Sequence, residues 1–107
     1  MPERRRFPRS RLRTPLEFSG ADPKNVTFGF ALDLSLGGAF VQTAFPARSG
    51  SGVVLRLWRP GWAAELHLHG VVRRACPGGM GVEFAPIAAR EGYLIDELVE
   101  EALPAAM

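Results

Sequence analysis

Apolar and polar residues alternate in short runs along most of this chain, and glycine, proline and small polar residues separate the runs. The longest run is Val26 to Ser35. Val26, Phe28, Phe30, Leu32 and Leu34 take every second position, with Thr27, Gly29, Ala31, Asp33 and Ser35 between them. A period of two predicts a strand with one wall in the core and the other accessible. On this pattern the wall of Val26, Phe28, Phe30, Leu32 and Leu34 is the buried one. Thr14 to Phe18 predicts a shorter strand, ended by the turn signal Ser19-Gly20-Ala21-Asp22-Pro23. Gly37-Gly38 is read as a tight reversal with positive φ, after which Ala39 to Thr43 begins the return.

Further along, Val53, Leu55 and Leu57 alternate with Val54, Arg56 and Trp58. Pro60-Gly61 marks a hairpin. Trp62 to Arg74 predicts a long strand, with Leu66, Leu68 and Val72 on one face and Glu65, His67 and His69 on the other. Gly70 in its middle marks a bulge or a close approach by another segment. Pro77-Gly78-Gly79 turns the chain into a last strand, Met80 to Ala85. Beyond Pro86 the period becomes helical: Leu94, Ile95, Leu98, Val99 and Ala102 share one face of a helix over 88–103. Acids gather toward its C-terminal end, against the helix dipole, which sets that end near something basic. Six short antiparallel strands tend to close on themselves to remove their edges. The predicted fold is all-β: a six-stranded antiparallel barrel over 14–107 with a C-terminal α-helix.

Composition narrows the function classes. The chain has 107 residues, 47% hydrophobic and 22% charged, which suits one ordinary globular domain. Its one cysteine, Cys76, can form neither an internal disulfide nor a cysteine-pair zinc site. The basic N-terminus is not followed by an apolar stretch, and no segment approaches the ~20 apolar residues of a membrane span. A cytoplasmic protein with no membrane association is the expectation. The net charge of +2 hides an asymmetry. Residues 1–13 carry Arg4, Arg5, Arg6, Arg9, Arg11 and Arg13 against Glu3 alone, while Glu91, Asp96, Glu97, Glu100 and Glu101 gather near the other end. Like charges and two prolines predict a flexible arm over 1–13.

By itself such an arm is a solvated basic tail. The segment Asp33-Leu34-Ser35-Leu36-Gly37-Gly38 gives it a complement. Asp33 and Ser35, two apart on a strand, point the same way, beside a glycine turn with open N–H groups. Guanidinium groups bind phosphates in bidentate fashion, stack on flat rings and match the O6/N7 edge of guanine. A carboxylate accepts from guanine's N1–H and N2–H₂. Arm and patch together suit a guanine nucleotide carrying phosphates. Asp33 and Ser35 also fit a local role, capping the turn.

Arg5-x-x-x-Arg9 followed by Asp33-x-Ser35-x-x-Gly38 resembles the signature of the PilZ domain family, RxxxR then (D/N)xSxxG. The opening Glu3-Arg-Arg-Arg-Phe-Pro-Arg9 and the last strand Gly81-Val-Glu-Phe84 are similar to that family as well. The resemblance implies a six-stranded barrel that binds cyclic diguanylate (c-di-GMP), a bacterial second messenger, on its outer surface. It implies that Arg5 and Arg9 hold phosphates and guanine faces, with Arg4 and Arg6 as helpers. Asp33 would pair with a guanine edge, Ser35 would bond the ligand or fix the loop, and Gly37 and Gly38 would let the backbone approach. Arg74 would stack on a base near the end of the fifth strand. Ligand binding would order the arm and signal to a downstream protein partner.

The remaining candidates carry less. His67 and His69 have only Glu65 beside them, so no metal site is expected. Cys76 reads as a bystander thiol. Trp58 shares the face of Arg56 and is either cross-strand packing or a partner-binding aromatic patch. No nucleophile–base pair appears, and the glycine turn lacks the lysine of a phosphate-hydrolysing loop, so the chain reads as a non-enzyme without cofactor. An acid at the centre of the patch and few exposed aromatics on its face count against DNA or RNA. A monomer or weak dimer is expected. The alternative function is a PilZ-like protein-interaction module that does not bind nucleotide.

Overall fold

The computed structural model describes residues 13–102. Six antiparallel strands, β1 (Thr14–Ser19), β2 (Thr27–Ala31), β3 (Gly38–Gln42), β4 (Gly52–Leu57), β5 (Leu66–Cys76) and β6 (Gly79–Phe84), precede one helix, α1 (Ala89–Ala102). They close into a barrel in the order β1-β2-β3-β6-β5-β4, which leaves no free edge. Alternation fills the interior as β4 and β5 predict. Val53, Leu55, Leu57, Leu66, Leu68 and Val72 are buried, while Arg56, Trp58, His67 and His69 face outward. Ile95, Leu98 and Val99 of α1 join the same core. Gly92 of α1 lies over the β2–β3 loop, where a Cβ would stand 3.7 Å from Leu36 Cδ2. The acids Glu97 and Glu100 line a shallow groove of about 480 Å³ with Arg59 and Trp62 of the β4–β5 loop. The acidic end of the helix therefore does lie beside a base. The helix sits at the end of the barrel where β2 turns into β3 and β4 into β5.

The largest correction concerns β2. Its core-facing residues are Gly29 and Ala31, not the large apolar ones: Ala31 is 0% exposed and Phe28 is 70% exposed. Val26 is exposed too, yet Leu34, on the same predicted wall, is buried. A bulge reconciles these. Phe40 accepts from Leu32 N (2.8 Å) and donates to Asp33 O (3.3 Å), so Leu32 and Asp33 together oppose the single residue Phe40. The extra residue reverses which parity faces inward. Before it the even positions face solvent; after it Leu34 points into the core. Small inward residues are required before the bulge, because a Cβ on Gly29 would meet Gln42 O at 2.7 Å.

Other boundaries shift for local reasons. The fifth strand starts at Leu66, paired with Leu57, and not at Trp62. Extending that register would set Ala63 against Pro60, which has no N–H to give. Trp62 instead packs against the core from the loop, where its N–H closes a turn onto Arg59 O (3.1 Å) and Gly61 takes a φ of 93°. Gly70 marks a close approach: a Cβ there would lie 2.6 Å from Glu83 O. The bulge in β5 falls later, between Val72 and Arg74.

Candidate functional site

The Asp-x-Ser-x-x-Gly segment forms the bulged tip of the β2–β3 hairpin. Its apolar residues anchor it from beneath: Leu34 is buried and Leu36 packs against the core below α1. Ser35 is 8% exposed and builds the turn. Its N–H donates to Gly38 O (2.9 Å), and its Oγ accepts from Gly37 N (3.2 Å) and reaches Gly38 O (3.4 Å). The local capping role is thus present. Gly37 and Gly38 do not take positive φ, contrary to expectation; among the described residues only Gly50, Gly61 and Gly78 do. Gly38 is needed for another reason. It pairs with Glu83, and a Cβ on it would stand 2.3 Å from Val82 O. Gly37 O accepts from Phe84 N (2.9 Å), which ties the tip to the end of β6.

The bulge matters to the site because it lets Asp33 reach the surface. Without the extra residue, Asp33 would share the inward parity of Ala31. In the structure it is half-buried at the outer edge of the tip. From there a row of partners crosses the outer wall. Asp33 bonds Phe40, Phe40 pairs with Gly81, and Gly81 pairs with Arg74. Three strand spacings set Arg74 about 14 Å from Asp33 along this row. Phe40 is an outward residue between the buried Ala39 and Val41, and its ring leans over Gly79. Next along β6 the exposed Glu83 accepts from Arg73 Nε at 2.6 Å. The pairing thus sets Asp33 and Arg74 in one row on the outer wall, with Gly37 and Gly38 in the tip beside Asp33, whereas Ser35 is buried within the tip and does not face out with Asp33 as expected. Arg4, Arg5, Arg6 and Arg9 lie outside the described residues.

Sequence reasoning missed Phe40 and the bare Gly81 between Phe40 and Arg74. The alternation of Ala39 and Val41 about Phe40 was the available signal. Of a second surface it found Trp58 alone, as a candidate aromatic patch. Arg13, the first described residue, holds its guanidinium 4.2 Å from the centre of the Phe30 ring, a cation–π contact. That pair opens onto a groove of about 620 Å³ floored by Pro15, Phe28, Phe30 and Trp58. Phe28 and Phe30 reach it only because the bulge leaves them outside. Among the described residues, no cluster of three His, Cys, Asp or Glu side chains could hold a metal ion. Glu65, just before β5, and His67 on its outer face form an exposed pair at 2.9 Å. No helix of the described residues is long and apolar enough to cross a membrane.

The sequence profile of the PilZ domain matches residues 3–101, and the chain belongs to that family, a family of c-di-GMP receptors. No curated protein matches it in sequence. Among solved structures it is similar to the PilZ domain of CeSA from a cellulose-synthesizing bacterium, with 27% identity over 87% of this chain and 95% of that one, at a TM-score of 0.70. Two more distant structures share the fold. One is the inhibitor of motility MotI/DgrA of Bacillus subtilis (18% identity, 94% of this chain, 51% of that one, TM-score 0.74). The other is the PilZ domain of YcgR from Escherichia coli with c-di-GMP (11% identity, 94% and 92%, TM-score 0.75). This chain spans about half the length of MotI and nearly all of the other two.

Proposed function

We propose that this chain is a non-catalytic c-di-GMP receptor that signals to a protein partner. What supports the reading is where the described chain begins: Arg13, four residues after Arg9 in sequence, stands at the end of the barrel that holds the Asp33–Gly38 tip. Thr14 pairs with Ala31, so the chain enters β1 at the end of the barrel that holds Asp33. Arg9 is four residues from Arg13 and lies within about 14 Å of it in any conformation. The arginine segment is therefore within reach of the Asp33–Gly38 tip. In this reading Arg5 and Arg9 bind the ligand phosphates through charge-assisted bonds, and Arg4 and Arg6 add to the field. Asp33 accepts from a guanine edge, while Gly37 and Ser35 hold the tip in shape. Arg74 stacks on a base at the far end of the row. Binding draws the arginine segment onto the barrel and changes the surface a partner meets.

Titrating ¹⁵N-labelled protein with c-di-GMP tests this. The amides of Asp33, Ser35, Gly37, Gly38 and Arg74 are expected to shift together and to saturate. No shifts, or shifts only on β4 and the helix, would overturn the assignment. The apolar groove beside Arg13 supports a second reading, a protein-interaction module of the same family that takes no nucleotide. Under it, Trp58→Ser abolishes function in cells while Arg9→Ala does not.

A further inference from the structure

The residue facing outward between Phe40 and Arg74 is a glycine that the barrel itself does not require. Gly29, Gly38, Gly70 and Gly79 each have a packing reason. A Cβ at these positions would come within 2.7, 2.3, 2.6 and 2.3 Å of a neighbour. Gly50, Gly61 and Gly78 have positive φ. Gly81 has neither reason: its φ is not positive, and among the described residues a Cβ on it meets nothing within 4 Å. A glycine inside a strand weakens the sheet, and it marks a bulge, a bend or a place another group approaches closely. The β5 bulge lies opposite Gly81, but the added residue is on β5, and Gly81 itself keeps a φ and the space that any residue could take; unlike Gly52, it stands in the row from Asp33 to Arg74. The side chains around it leave this spot open. The Phe40 ring leans away over Gly79, and Glu83 is turned to Arg73. The result is a bare patch of backbone in the row from Asp33 to Arg74.

We propose that Gly81 is a specificity-determining floor, on which one planar base of the nucleotide lies flat against the β6 backbone. The inference rests on the receptor reading above and adds a residue to its site. A flat ring needs a floor without a Cβ if it is to reach the Arg74 guanidinium on one side and the Phe40 ring edge on the other. Any side chain at 81 would hold the ring off the backbone and out of line with Asp33. The same side chain would fill no occupied space and would suit the strand better than glycine does.

This gives a test in which stability and affinity move differently. Wild type, Gly81→Ala, Gly81→Val and, as a control, Gly52→Val are compared by thermal denaturation and by titration with c-di-GMP. Gly52 is an exposed outer residue two strands from β6, and a Cβ there comes no closer than 4.0 Å to a neighbour. Both Gly81 variants are expected to melt at or above the wild-type temperature. Gly81→Val is expected to lose at least about tenfold in affinity, as for a lost base-stacking contact, and Gly81→Ala less. Gly52→Val is expected to bind as wild type does. Wild-type affinity in Gly81→Val would overturn the inference alone. So would a lowered melting temperature in both Gly81 variants, or an equal loss in Gly52→Val. Absence of binding by wild type would instead overturn the receptor reading, and this inference with it.

Discussion

Replacing Gly38 with alanine separates two explanations of the last glycine in the motif. If the residue is small so that a ligand can approach, Gly38→Ala leaves the fold intact and weakens binding. The structure argues otherwise. The added Cβ would lie 2.3 Å from Val82 O and 3.3 Å from Val82 C, both backbone atoms of β6. Restoring van der Waals contact moves the strands apart by about 1 Å. They cannot separate freely, because Gly38 pairs with Glu83 and Gly37 O holds Phe84 N at 2.9 Å. Overpacking against backbone belongs at the upper end of its usual cost, about 3 kcal/mol. For a domain of this size that lowers Tm by about 15 °C. Differential scanning calorimetry without ligand reads this directly. A Tm within about 2 °C of wild type would refute the steric argument, since even 1 kcal/mol moves Tm by more than that.

The remaining predictions concern the core and the ligand. Phe28→Ser is expected to change stability by less than about 0.5 kcal/mol, because Phe28 is outside the barrel, whereas Leu34→Ala costs about 3 kcal/mol in chemical denaturation. Equal effects would contradict the reversal at the bulge. Arg9→Ala and Asp33→Ala are each expected to weaken c-di-GMP binding by about tenfold or more, from lost charged hydrogen bonds; unchanged affinity in both would refute their assignment. Raising the ionic strength from 0.05 to about 0.5 M is expected to weaken wild-type binding steadily, as screening of arginine–phosphate contacts requires. A salt-independent affinity would mean that the arginines do not contact phosphate.

Local patterning carried most of the architecture. Leu66, Leu68 and Val72, and Val53, Leu55 and Leu57, alternate without interruption, and their faces follow from that alone. Leu94, Ile95, Leu98 and Val99 mark the helix through the change of period. The run from Val26 to Leu34 misled because alternation fixes parity only while the ladder is regular. One added residue at Leu32–Asp33 reversed it, and a bulge has no spacing signature of its own. The same limit hid the site's outer wall. Asp33 and Ser35 were legible as a pair two residues apart. The burial of Ser35 and the alignment of Asp33 with Phe40, Gly81 and Arg74 were not, because they depend on the bulge and on the registers of β3, β6 and β5, which bring together residues distant in sequence. Gly38 was legible as a required glycine, but not for the positive φ expected of it: the atom that obstructs a Cβ belongs to a strand more than forty residues away. The Arg13–Phe30 contact and the groove beside it were hidden by the same reversal.

Isothermal titration of residues 1–107 with c-di-GMP decides whether the protein is a receptor for it. Saturable heat with a Kd of about 1 µM or below is expected. No heat and no rise in melting temperature at about 100 µM ligand would contradict it.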